Sequence, residues 1–256
     1  MTVVYILADL SQANRISSAG AHLVQRLDAY QTLLAGRPDW ECPRGWAFHD
    51  GDSAREPFGH ALPAWTNTTT RIIHIDPLPE DWHALYDGVV ASIRDARVAP
   101  YALVTAEDVA SIAGHELTHH LRAFQNTPAG AEWFEEGFCF AVPRHEVLSS
   151  GRLTAVAAAE AALVRAYASR FGATEVWTFG ANVGANVGAN VGANVGANDD
   201  GSGWAAALYD YWRAVAVVAE LIAIRYAGDP WAALSAFEVW TERHRDTPLA
   251  EWLGVR

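Results

Sequence analysis

Cysteine is nearly absent. Cys42 and Cys139 are the only two among 256 residues, which excludes a disulfide framework and a cysteine-rich metal site. Cys139 stands among Phe138, Phe140 and Ala141, where a buried thiol is the expectation. Long apolar runs are missing too. The longest, AVAVVAELIAI, carries Glu220 and reads as a buried helix rather than a membrane span. The opening residues, MTVVYILADL, lack the positive n-region and long apolar core of a secretory signal, so the expected compartment is the cytoplasm. Nor is there a basic run. With a net charge of −12 and a pI near 5.2, neither nucleic acid nor a membrane is an expected partner. The acidity itself serves solubility.

What is present suffices for a sizeable core, since 51% of the residues are hydrophobic. VVYILAD reads as a buried strand and RIIHI (residues 71–75) as a second. YALVT (residues 101–105) is a third strand candidate. Residues 36–70, rich in Pro, Gly, Trp and Thr, read as loop. Helical spacing is expected over Ser18 to Leu34, after the proline of PLPEDWHALYDGVVASIRDARV, and over Ala106 to Phe124, where Thr105 and Asp108 form a capping-box pattern. Further helices are expected from Ala131, over RLTAVAAAEAALVRAYASRFG with Gly172 as its C-cap, over WAAALYDYWRAVAVVAELIAIRYAG, and from Asp229-Pro230. Strands early and helices late argue an α+β fold. The expected plan is one domain, with a small sheet-bearing lobe over residues 1–104 and a helical lobe over 105–256. Residues 180–199, GANVGANVGANVGANVGAND, repeat every four residues with one Val per unit. Such a composition cannot offset ordering entropy, so a mobile insert dispensable for activity is expected.

Inside the helix expected from Ala106 lies GHELTHHLRAF, in which His115-Glu116-Leu117-Thr118-His119 reads H-E-x-x-H. Chance alone yields this pattern in roughly one chain of such composition in fifty. Residues i and i+4 share a helix face, so His115 and His119 can point at one ion, and neutral imidazole suits zinc. Glu116, rotated by about 100°, flanks the ion without ligating it, as a general base requires. His120 leaves the ligand face and is expected on the helix surface or behind the ligands. Position 122 is Arg and position 125 is Gln, which excludes the metzincin pattern. AEWFEEGFCFAV then offers Glu132, Glu135 and Glu136 as the third ligand. His74 and His145 are expected to be structural or surface histidines.

HELTHHLR followed by WFEEGF resembles the gluzincin-type zinc metallopeptidases, the group that includes aminopeptidase N-like enzymes. The resemblance covers mainly residues 105–145. It implies a zincin-like fold and a peptide or protein substrate. It also implies a zinc ion held by His115, His119 and the glutamate before the glycine, Glu136. Glu116 is then the general base. A weaker echo in YDYWRAVAVVAELIAIRYAG makes Tyr211, then Tyr209, the group that stabilises the oxyanion. Two features depart from the group. The exopeptidase motif G-x-M-E-N is absent, Met1 being the only methionine, which argues against aminopeptidase N-like specificity. Position 140 is Phe, where the group often has an acidic residue that orients a zinc histidine. Glu135, Asp108 or a backbone carbonyl could substitute. The rival expectation is a catalytically inactive zinc-stabilised module, structural or peptide-binding.

Overall fold

The computed structural model describes residues 2–50, 64–67, 69–91, 93–172, 175–179 and 202–255. The repeat at 180–199 lies outside the described residues, as do residues 51–63. The fold is α+β. Strands β1 (Thr2–Ile6), β2 (Gly45–His49), β3 (Ala64–Asn67) and β4 (Ile72–Ile75) form one sheet in the order β1-β2-β4-β3. β1, β2 and β4 run parallel, and β3 pairs antiparallel to β4 with Trp65 opposite His74. Helices α1 (Ala13–Arg26) and α2 (Asp28–Ala35) follow β1, and α3 (Pro79–Val90) and α4 (Ala99–Ala102) follow β4. Then come α5 (Ala106–Thr118), α6 (Glu132–Val147), α7 (Ser150–Phe171), α8 (Ser202–Arg225), α9 (Pro230–Arg243) and α10 (Leu249–Leu253). No helix among the described residues is long and apolar enough to cross a membrane.

Several expectations need correction. β1 is a sheet edge with every residue exposed, not a buried strand: Val3, Val4, Tyr5 and Ile6 are each 37–44% accessible. The expected loop over 36–70 contains β2, fully buried, and β3. YALVT is not a strand; Pro100 in the first turn of α4 starts a short helix that buries Tyr101. The expected helix from Ser18 is two helices meeting at Leu27.

The core crosses the expected lobe boundary. Ile16, Phe48 and Ile75 from the sheet side join Leu117, Phe138, Phe237 and Leu253 in one buried cluster. Two glycines set the spacing of the helices that matter for the site. A Cβ on Gly114 would lie 2.6 Å from Cβ of Pro143, so α5 and α6 pack closely just before His115. A Cβ on Gly137 would lie 2.5 Å from the carbonyl oxygen of Ala214, so α6 crosses α8 backbone to backbone just after Glu136. Neither approach admits a side chain.

Candidate metal centre

α5 begins with a full capping box. The Thr105 hydroxyl accepts from the Asp108 N–H, and the Asp108 carboxylate accepts from the Thr105 N–H at 2.7 Å. These bonds satisfy helix-end donors. The helix buries Val109, Ala110, Ala113 and Leu117 on one side. Its end is pinned from several directions. Thr118 and Tyr30 share a hydroxyl hydrogen bond of 2.7 Å, and the Trp40 indole donates to the Leu117 carbonyl at 3.0 Å. On the side of the sheet, the Thr66 hydroxyl on β3 donates to the Glu116 carbonyl at 3.1 Å. The motif thus lies beside β3, the last strand in the order of the described sheet.

α6 supplies the facing wall. Trp133, Phe134 and Phe138 turn into the core, where Phe134 stacks on Phe237 with centroids 4.7 Å apart. That burial leaves Glu135 and Glu136 turned toward α5. His115 Nε2 lies 3.0 Å from His119 Nε2. Glu136 Oε2 lies 3.4 Å from the first and 3.6 Å from the second. All three donor atoms fall within 4.8 Å of one another, so the group could hold a metal ion. Ligands at zinc–nitrogen distances of about 2.0–2.1 Å in a tetrahedron are roughly 3.3 Å apart, and the three separations bracket that value.

Polar bookkeeping makes the same point. Glu136 Oε2 is buried without a hydrogen-bond partner. His119 Nδ1 lies 2.8 Å from Glu135 Oε1, so its proton belongs there and its Nε2 offers a lone pair to the cluster. An unpaired buried acceptor is costly, and a cation between the three atoms removes the cost. The residues therefore fit a metal ion.

The acid–base environment is equally uneven. Burial, with His119 and Arg144 adding to it, drives the His115 pKa well below the ordinary histidine range. Burial also opposes charge on His119, but Cys139, Glu136 and Glu135 outweigh it and raise that group. Glu116 is 7% exposed, and its Oε1 is 3.9 Å from His115 Nε2, beside the cluster rather than in it. Burial pushes its carboxyl up to about 7, against the opposing influence of His119 and Thr66.

Of the two tyrosines named from the sequence, Tyr211 borders the cluster, its ring centroid 6.4 Å from that of His115. Tyr209 does not: its hydroxyl donates to the Gly172 carbonyl at 2.8 Å and its ring is buried. Glu132 is at the other side of the α6 start, accepting from the Gly130 N–H at 2.6 Å. His120 is buried, not on the helix surface, and apart from the cluster. Its pKa falls to about 4, through burial first and then His119 and Arg71. His74 is engaged with His49 at 2.9 Å, and His145 lies away from the cluster in a groove lined by α6, α7 and α8. Asp108 is committed to the cap and to Arg152, 2.7 Å away, and does not orient a histidine of the cluster.

Sequence reasoning misses Thr66, because β3 sits in a stretch read as loop and its four residues, AWTN, show no apolar–polar alternation; the strand-favouring pair Trp65-Thr66 was the available signal. Phe140, noted from the sequence only for lacking a carboxylate, lies against His115 with centroids 3.9 Å apart and planes tilted by 37°. No known family description, curated protein or solved structure matches the chain.

Proposed function

We propose that the chain is a zinc-dependent peptidase with a zincin-like fold, in which Glu116 is the general base for hydrolysis of a peptide bond. The observation that carries this reading is the convergence of His115, His119 and Glu136 within 4.8 Å, with a separate carboxylate 3.9 Å from His115 that is not one of the three. His115, His119 and Glu136 would hold the ion. When bound, zinc supplies Lewis acidity that polarises a carbonyl and lowers the pKa of a coordinated water toward about 7. Glu116 takes the proton of the attacking water and returns it to the leaving amine. A carboxyl with proton affinity near neutrality serves both transfers. Tyr211 presents its hydroxyl from α8 to the oxyanion, a type of contact worth about 3–4 kcal/mol.

A zinc-stabilised module without catalysis is the second reading. The observation favouring it is that His115 Nδ1 is buried without a hydrogen-bond partner. Against it stand the separate Glu116 and the count of ligands, since structural zinc sites usually close with four protein donors.

Glu116→Gln separates the readings. The expected result is unchanged zinc content with peptide turnover lowered at least about a hundredfold. Wild-type turnover in that variant would contradict the mechanism. A zinc-loaded wild-type chain that cleaves nothing in a peptide library would select the module.

A further inference from the structure

The two imidazoles of the cluster are held by different means. His119 turns Nδ1 away from the cluster, toward Glu135 Oε1 at 2.8 Å, with Cys139 Sγ a second, longer neighbour of the same nitrogen at 3.7 Å. An imidazole that donates from Nδ1 is fixed in the tautomer whose Nε2 lone pair is free, and a carboxylate acceptor makes that lone pair a better donor. Nε2 is the atom that faces His115 and Glu136. Glu135 can do this because it precedes Glu136 in the first turn of α6. One turn of helix thus delivers a ligand and the group that orients a different ligand.

His115 has no counterpart. Its Nδ1 is buried and makes no hydrogen bond. One turn after Glu136, where a carboxylate would reach this ring, Phe140 lies against it with centroids 3.9 Å apart and planes at 37°. Phe140 is itself confined by the Tyr211 ring at 5.5 Å and the Arg144 guanidinium at 5.0 Å. The His119 ring meets His115 edge-on, with centroids 4.5 Å apart and planes at 85°.

We propose that Glu135 is the positioning residue of the metal centre, fixing the tautomer and bearing of His119, and that His115 is oriented by ring contact with Phe140 instead of by a hydrogen bond. The proposal rests on the metal-centre reading above.

The test is the zinc affinity of the full chain, measured by competition with a chromogenic chelator at fixed pH, for the wild type, Glu135→Ala and Glu135→Gln. Loss of the acceptor in Glu135→Ala should weaken zinc about 10–100-fold. Glu135→Gln keeps a carbonyl acceptor for the Nδ1 proton and should recover most of that loss. Both variants should melt with the wild type when zinc is absent, which a merely structural role for Glu135 would not allow. Wild-type affinity in Glu135→Ala, or equal losses in the two variants, overturns the proposal. Should Glu135→Ala fail to fold, ring-nitrogen NMR shifts of the zinc-bound wild type decide. A protonated Nδ1 on His119 sustains the proposal and a ligating Nδ1 overturns it. A wild-type chain that takes up no zinc is a distinct result, and it removes the metal-centre reading itself.

Discussion

At the scale of single residues, neighbours in sequence carry unlike duties. Tyr209 and Tyr211 are both on α8, and they diverge because two residues along a helix turn a side chain by about 200°. Tyr209 spends its hydroxyl on the Gly172 carbonyl at the end of α7, whereas Tyr211 stands beside His115 and Phe140. Tyr211→Phe should lower kcat by about 10²-fold or more with little change in thermal stability. Tyr209→Phe should leave kcat in place and cost about 1 kcal/mol of stability. The reverse pattern in steady-state kinetics and denaturant melts would remove Tyr211 from the mechanism. The sequence alone leaves both tyrosines open, since helical phase relative to the site is a tertiary fact. Among Glu132, Glu135 and Glu136 the residues leave the choice open; Glu136 is singled out by the resemblance of WFEEGF, and it is the one that lies with His115 and His119 in the structure.

At the scale of elements, what is legible is what is local. The capping box at Thr105, the C-cap at Gly172 and the Asp229-Pro230 start of α9 all appear where they are expected, because each is a hydrogen-bond pattern within four residues. The strands are read poorly for the opposite reason. VVYILAD has the composition of a buried strand, yet among the described residues β1 has one neighbouring strand, and apolar content does not report the number of neighbours. The carboxyl ends of the parallel strands carry a further consequence. Asp76 follows β4, and its Oδ1 accepts from the Leu78 N–H at 2.9 Å. Its Oδ2 is buried without a partner. Burial pushes this carboxyl up to about 8, opposed by the Leu78 N–H and helped by Asp81 and Asp50. The ordinary value is 3.8, so between about pH 4 and pH 8 the folded chain keeps a proton that the unfolded chain has lost. The stability this contributes is full at the acid end and declines as pH rises through that window. Asp76→Asn keeps the acceptor for Leu78 and removes the titration. Between pH 5 and pH 8 the wild type should therefore lose at least about 1 kcal/mol more than the variant. Parallel stability–pH curves from urea melts would contradict the assignment.

At the scale of the whole molecule, residues from both halves of the chain enter one core, and the cluster lies where sheet edge and helices meet. β3 approaches α5 from the N-terminal part, and α6 and α8 close over it from the C-terminal part. The three side chains that converge are readable from two short motifs, while their surroundings are not. Thr66, Tyr30 and Trp40, which pin the motif helix, are distant in sequence from His115. The central claim is that His115, His119 and Glu136 form one zinc site, and zinc content per chain tests it most directly. The protein is purified without added metal, with Glu136→Ala beside it. The account predicts about one zinc in the wild type, as for a site with three protein ligands, and its loss or marked weakening in the variant. No zinc in the wild type, and none taken up on titration, would contradict it and leave GHELTHHLRAF as a helix end with no metal to hold.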